Sequence, residues 1–340
     1  MPDISTLPPS HPEIATGKKG ILLIQLGTPQ SPSPNHIRRY LAQFLSDKRV
    51  IELPALFWQP LLRCVILPLR SQKLSHSYKM IWDKKHNESP LRQITKQQAE
   101  KLNAKFPTIE IEYAMRYGVP SIEEKLQKLQ KMGCEQISLI ALYPQYSATT
   151  TASSYDESFR ILQKMRWQPS IRTAASWHDD KIYIEALAAH LKGELGTLSW
   201  KPEVILASFH GLPEHYLHKG DPYHCHCAKT ARLLRQTMNM SEDKLRLCFQ
   251  SRFGRAKWLE PYTQSTVETL AKEGVKKIAV ITPGFTTDCL ETLEEIKIML
   301  KKSFLRYGGK KFHALPCLND NQYGIKVLEH IIKREIGDWL

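Results

Sequence analysis

The sequence predicts an α/β protein built on two doubly wound parallel sheets of about four strands each, flanked by helices. Three observations carry this. Eight short apolar runs rich in Val and Ile are spread along the 340 residues. Segments of helical period fill most of the gaps between them. The stretch between the first two runs, 34–105, is long and helix-rich, which suits a single eight-stranded barrel poorly. Such alternation makes parallel sheets with helices on both faces, and a boundary between the two sheets is expected near 170–200.

The elements follow in order. Residues 1–17 are rich in Pro and Ser and lack an apolar signal-peptide core, so a flexible tail is expected. The first strand is placed at 20–26 (GILLIQL) and a helix at 34–46. Residues 53–70, LPALFWQPLLRCVILPLR, are apolar but broken by Pro54, Pro60, Pro68 and Arg63, and Arg70, Lys73, Lys79, Lys84 and Lys85 follow. Two readings fit: a helix pair packed on the core, or an apolar lip that dips into a membrane surface or covers a greasy ligand. A helix is expected at 91–105, a strand at 109–115 (IEIEYAM), a helix at 121–132 and a strand at 135–142 (EQISLIAL). A helix at 151–166 leads to a strand at 170–175 and a helix at 179–195. The second half repeats the alternation: strand 203–209, helix 225–239, strand 244–250, helix 262–273, strand 276–282, helix 288–304, strand 311–315 and helix 322–338. No internal repeat is visible in the residues themselves.

Composition narrows the function. The chain is 42% hydrophobic and 24% charged, a globular balance that excludes wholesale disorder. A net charge of +14 points to an anionic partner: nucleic acid, an acidic membrane face or an acidic small molecule. The seven cysteines are odd in number and scattered, unlike a secreted disulfide framework. No run of 18 apolar residues is present, so no transmembrane helix is expected, and the prior is a cytoplasmic protein. No GxGxxG or GxxxxGK[ST] follows a strand and no GxSxG occurs. The basic residues are spread and no helix-turn-helix or zinc-finger spacing is found, which argues against nucleic acid. His224-Cys225-His226-Cys227 lacks the second, distant pair that a structural zinc site needs.

In doubly wound sheets, ligands sit beyond the C-terminal ends of the strands. Leu26 and Gly27 end the first strand, and Arg116 and Tyr117 follow the second. Tyr143 opens the segment after the third, and His210 ends the strand at 203–209. A lone histidine is more often structural. Yet an imidazole at a strand end beside a Gly-Leu-Pro turn is placed to meet a cleft, and its ordinary pKa of about 6.5 suits proton transfer or metal ligation. Asp288, Glu291 and Glu295 fall within about 60° of one helix face at α-helical spacing. They read either as N-terminal capping acids or as an acidic row that guides a divalent cation or relays protons.

These residues carry a family resemblance. The motifs are LGTP at Leu26–Pro29, YPQYS at Tyr143–Ser147, SFHGLP at Ser208–Pro213, KGDPY at Lys219–Tyr223, QSRFG at Gln250–Gly254 and PGFTTDCLETLEE at Pro283–Glu295. Together, from about Gly20 to His330, they resemble the ferrochelatases, which insert Fe²⁺ into a porphyrin to make haem. The resemblance implies two Rossmann-like domains, 18–175 plus 313–340 and 176–312, with the porphyrin cleft between them. It implies a C-terminal helix that returns to the first domain and a lip over 53–85 at the cleft mouth, in many relatives a membrane contact. It sets the active-site histidine at His210 and the key glutamate at Glu291, as catalytic residues and metal ligands, with Asp288 and Glu295 on an acidic path. Leu26, Arg116, Tyr143, Tyr223 and Trp258 match porphyrin-binding positions.

Two departures matter. Some relatives hold a [2Fe–2S] cluster, but the mid-chain cysteine position resembles Ala148 here and no Cys follows Cys317, so no cluster and no resident cofactor are expected. Cys289 stands where some relatives have a histidine. The expected substrates are protoporphyrin and Fe²⁺, and the alternatives are coproporphyrin, a non-catalytic porphyrin or haem carrier, and a cobalt or nickel chelatase. His210 is either the proton acceptor or the last metal ligand. The expected location is cytoplasmic, with peripheral contact at the inner membrane face through 53–85.

Overall fold

A computed structural model describes residues 15–254 and 256–339, so the expected tail lies outside it up to residue 14. All eight strands form: β1 Lys18–Thr28, β2 Ile109–Gly118, β3 Cys134–Ala141, β4 Ser170–Thr173, β5 Val204–His210, β6 Leu245–Gln250, β7 Lys277–Ile281 and β8 Lys311–Ala314. They make two four-stranded sheets, ordered β2-β1-β3-β4 and β6-β5-β7-β8, with every pair parallel. The two orders are the same, so the topology repeats where the residues do not.

The central strands β1 and β5 are buried along nearly their whole length, because helices cover both faces. The helices are α1 Pro34–Leu45, α2 Ala55–Leu61, α3 Leu67–Ile81, α4 Pro90–Lys105, α5 Ile122–Lys131, α6 Ser153–Leu162 and α7 Lys181–Gly196. They continue with α8 Glu214–His218, α9 Tyr223–Met238, α10 Thr263–Lys272, α11 Lys301–Arg306 and α12 Gln322–Ile336. Proline opens α1 and α4, where its missing N–H costs nothing. Asp180 and Asn321 cap α7 and α12 through their side chains. The short α8 is absent from the sequence expectation, since five residues carry no readable period.

One continuous core joins the sheets. Ile21, Leu23, Ile140 and Leu142 meet Ile205, Phe209, Phe249 and Ile281, with α7, α9 and α12 packed between. The outer faces are closed separately, by α5 and α6 on the first sheet and by α10 and Ile296, Leu300 and Phe304 on the second.

Three segments depart from the α-helical period. Leu62–Ile66, Ala148–Ala152 and Glu291–Leu300 are π-helical, with i→i+5 bonds. The expected helix at 288–304 therefore has about one residue more per turn over Glu291–Leu300 than the 3.6 assumed from sequence. Such wide turns are rare and recur at functional sites. Among the described residues, no helix is long and apolar enough to cross a membrane.

The packing reading of the 53–70 segment holds for one face. The inner face of α2, the π turn and α3 packs Leu62, Leu67 and Tyr78 against Ile37, Tyr40 and Leu41 of α1. The outer face is bare: α2 buries no residue, and Leu56 and Phe57 are 80% and 75% exposed.

Candidate active site

The strand order reverses between β1 and β3 and between β5 and β7. Those are the crevices in which this architecture places ligands. The two crevices are tied together. Gln25 Nε2, in β1, donates to Thr286 Oγ1 at 3.3 Å, and Thr286 Oγ1 donates to the carbonyl of Leu142 at 3.1 Å. Gly27 lets the chain turn away at the β1 end: its φ is +115°, and a Cβ there would lie 1.8 Å from the Tyr117 carbonyl oxygen.

His210 ends β5, in register with Gln250 of β6, and is half-buried. Its Nδ1 lies 2.7 Å from the Gly211 carbonyl, which only accepts, so Nδ1 is the donor, and in the neutral ring the lone pair is then on Nε2. Among the described residues, Nε2 has no hydrogen-bond partner. Trp258 lies against Gly211, with its ring within 3.1 Å of the position a Cβ would take. An isolated antiparallel bridge joins Pro213 to Trp258. The indole Nε1 is buried without a partner.

Glu291 and Glu295 project from the π-helix that follows β7. Ser251, left-handed at φ +65°, aims both its N–H (2.7 Å) and its hydroxyl (2.5 Å) at the Glu295 carboxylate. Gln250 Nε2 donates to the Glu291 carbonyl at 2.9 Å and reaches Glu295 Oε2 at 3.4 Å. Burial raises the Glu295 pKa above the ordinary carboxylate value and the charge of Glu291 adds to this, while the Ser251 bonds and His210 oppose it. Glu295 thus feels both His210 and Glu291. The charge of Glu291 also raises the pKa values of two buried tyrosines from the first half, Tyr40 and Tyr78, for which burial is the larger cause. So the charge of Glu291 reaches tyrosines of the other half, and Glu295 feels the histidine of its own. Behind Glu295, a cavity of about 370 Å³ is walled by Gln250, Thr263, Glu268, Met299 and Tyr307.

The remaining expected residues take different places. Asp288 is buried, and its carboxylate accepts from Thr292 Oγ1 (2.8 Å), Asn319 Nδ2 (2.7 Å) and the Cys317 N–H (3.3 Å). It therefore anchors the helix start to the 317–319 loop. Tyr223 is 7% exposed and stands in the central core, its hydroxyl 3.8 Å from where a Cβ of Gly284 would lie, one layer behind the loop. Leu26 packs in the lip cluster beside Leu290. The Tyr143 hydroxyl is buried and has no hydrogen-bond partner of good geometry among the described residues. Arg116 does not offer the free charge a rim cation needs. Its Nη2 is 2.6 Å from Asp47 Oδ2, and its Nε donates to Ser153. Among the described residues, no three His, Cys, Asp or Glu side chains converge as a metal-binding group, His224–Cys227 included.

A cation without a carboxylate partner among the described residues bridges the two halves, and sequence does not single it out for this role. Arg70, in α3, stacks at 3.9 Å on Phe253, which comes from the loop after β6 in the other half. No carboxylate pairs with it among the described residues, and burial alone lowers its pKa. Sequence shows Arg70 only as one of several basic residues after the apolar segment.

A family model, ferrochelatase, matches residues 18–336. The chain belongs to the ferrochelatase family. Among curated relatives, the ferrochelatase of Rhizobium meliloti (strain 1021) is 52% identical over 333 residues, covering 97% of this chain and 98% of that one. The ferrochelatase of Agrobacterium fabrum is 51% identical over 341 residues, covering 99% of each. Solved structures share the fold at low identity. SirB from Bacillus subtilis with Fe³⁺ gives a TM-score of 0.60 at 12% identity over 95% of this chain and 97% of that one. CbiX, described as the terminal enzyme for biosynthesis of sirohaem in denitrifying bacteria, gives 0.52 at 11% over 93% and 99%. The fold is thus the two-sheet, Rossmann-like arrangement of the chelatases.

Proposed function

We propose that the protein inserts Fe²⁺ into protoporphyrin IX, releasing two protons and forming protohaem, the last step of haem synthesis. The observation that carries this is a His210 whose Nε2 is left without a hydrogen-bond partner among the described residues, close enough to the half-buried acids Glu291 and Glu295 for its charge to act on Glu295. Insertion requires that two pyrrole N–H protons leave and that Fe²⁺ lose its water. His210 takes a proton at Nε2, and the negative field of Glu295 stabilises the imidazolium. Glu291, toward the cleft, meets the incoming iron, and Glu295 passes protons toward the cavity behind it. Asp288 holds the helix that carries both acids. Leu26, Tyr143 and Trp258 supply the apolar, aromatic slot for a flat ring, and Tyr223 supports it from behind.

The choice of protoporphyrin rests on charge. It carries two propionates, coproporphyrin four. Arg116 is neutralised by Asp47, so Arg70, which stacks on Phe253 across the two halves and has no carboxylate partner among the described residues, is the cation we assign to a propionate, and this suits the less carboxylated ring. The protein works without a resident [2Fe–2S] cluster, consistent with Ala148 and the cysteine positions. It acts in the cytoplasm, with the bare face of the 53–85 lip resting on the inner membrane face, where an apolar product and substrate partition.

The test is anaerobic haem formation from Fe²⁺ with protoporphyrin or coproporphyrin, using wild type and His210→Ala. Protoporphyrin turnover that drops on the order of 10²–10⁴-fold in the variant is expected for loss of a general base. Tight porphyrin binding without turnover in the wild type would instead make the protein a carrier.

A further inference from the structure

A second site lies outside the cleft. A groove of about 590 Å³ runs between α1 and the lip, walled by Asn35, Arg38, Arg39, Gln43, Leu62 and Arg63 among others. Three guanidiniums face it, and none has a carboxylate within ion-pair distance among the described residues. The only bond between them is a 3.5 Å contact from Arg38 Nη2 to the carbonyl of Arg63. Exposed arginines elsewhere are of both kinds: Arg49 and Arg160 are matched by Asp156 and Glu157, while Arg166, Arg232, Arg252 and Arg306 have no carboxylate partner among the described residues, so what marks the groove is that three such arginines line one concavity. Three unpaired guanidiniums around one concavity repel one another, and the arrangement suits a compact anion bearing several oxygens. The lip wall of the groove continues directly into exposed apolar side chains, with Leu61 and Val65 flanking Leu62 and Arg63, and Leu56 and Phe57 beyond.

We propose that this groove binds the phosphate of an anionic phospholipid headgroup, while the bare face of the lip enters the acyl boundary. The proposal rests on the reading of 53–85 as a membrane-contacting lip and adds to it a specific headgroup site. The apolar face alone would give contact without lipid preference. The groove makes contact selective for anionic lipid and sets which way the cleft mouth faces the bilayer.

The test is co-sedimentation of the full chain with vesicles of phosphatidylcholine alone or mixed with phosphatidylglycerol. The groove variant is Arg38→Gln/Arg39→Gln/Arg63→Gln. Its charge-matched control is Lys192→Gln/Lys301→Gln/Lys310→Gln, three exposed lysines on the second half that make no ion pair. The groove variant is expected to bind the mixed vesicles on the order of a hundred-fold more weakly, and the control only several-fold. Equal losses in both variants would overturn the site and leave net charge as the cause. A groove variant that binds like wild type would overturn it outright. Isothermal titration with inorganic phosphate separates the sources. Phosphate binding that depends on the groove, with vesicle binding that does not, would make a free phosphate the ligand and overturn the lipid assignment. A third variant, Leu56→Ser/Phe57→Ser, tests the lip itself. If it sediments with both vesicles as wild type does, the lip reading fails, whereas the groove is judged by the ratio of mixed to neutral binding.

Discussion

Replacing Asp47 with Asn tests how the first half holds Arg116. Oδ2 of Asp47 accepts from Arg116 Nη2 at 2.6 Å, from Tyr117 OH at 2.7 Å and from Ser153 Oγ at 2.5 Å. Oδ1 accepts from the Arg49 N–H at 2.7 Å. The side chains of Asp47 and Arg116 are 8% and 16% exposed. Removing one member of a buried pair costs about 3–5 kcal/mol, because the other charge stays in a low dielectric without a partner. The residual exposure of Arg116 and the bonding capacity kept by Asn put the expected loss near 3 kcal/mol, the low end of that range. Removing both charges with Asp47→Asn/Arg116→Met also removes the orphan. The double variant should therefore lose at least about 1 kcal/mol less than the sum of the single losses. Equilibrium urea unfolding of the three variants at neutral pH measures this. Additive losses, or a loss under about 1 kcal/mol for Asp47→Asn, would refute the pair as a unit and return Arg116 to the role of a free rim cation. The pH sign is fixed too. Burial would raise the Asp47 pKa, but bonds from Ser153, Tyr117 and the Arg49 N–H and the charge of Arg116 bring it below the usual value. The stabilisation is therefore present above the unfolded carboxylate value of about 3.9 and lost as pH falls through the folded one.

Three further outcomes are expected. Arg70→Met should raise the KM for porphyrin about tenfold or more with little change in kcat, since a charge-assisted bond to a propionate is lost; steady-state kinetics in which kcat alone falls would refute the assignment. Gly27→Ala should destabilise by about 3 kcal/mol or more, because its Cβ would sit 1.8 Å from the Tyr117 carbonyl oxygen at a φ that L residues rarely adopt; a thermal midpoint within two degrees or so of wild type would sink the idea. His178→Phe should flatten the acid side of the stability profile: burial, then the parallel ring of His226 at 3.6 Å, holds His178 down to about 4, so the unfolded chain alone gains that proton between about pH 6.5 and 4. Wild type should lose on the order of 2 kcal/mol more than the variant across that window, a figure already reduced for partial solvent access, and identical slopes in urea unfolding would exclude the stacked pair as the cause.

Much of this fold is legible because burial on both faces leaves a plain mark. Runs such as GILLIQL and EVILASF are apolar at most positions with no alternation, and each became a central strand, β1 and β5. The candidate site was legible to the same degree at strand ends, since His210 and the Glu291–Glu295 pair follow β5 and β7 directly. The rest was not. Arg116 looks free until Asp47, 69 residues away in sequence, folds beside it. Arg70 looks like one of several surface cations until Phe253 from the other half stacks on it. Ser251 carries no mark of its left-handed backbone, because nothing local demands it; the Glu295 carboxylate does.

The sequence by itself determined the element types and the two parallel sheets, and it singled out the histidine and acids as candidates, because these depend on periodicity, burial and side-chain chemistry that are written locally. Tertiary structure alone decided the rest: the shared strand order of the two halves, the i→i+5 turns that carry Glu291 and Glu295, the neutralisation of Arg116 and the three unmatched arginines beside the lip. Each of these is set by what the far part of the chain brings into contact. A charge is paired or free, and a helix turn tight or wide, according to neighbours that no local pattern names.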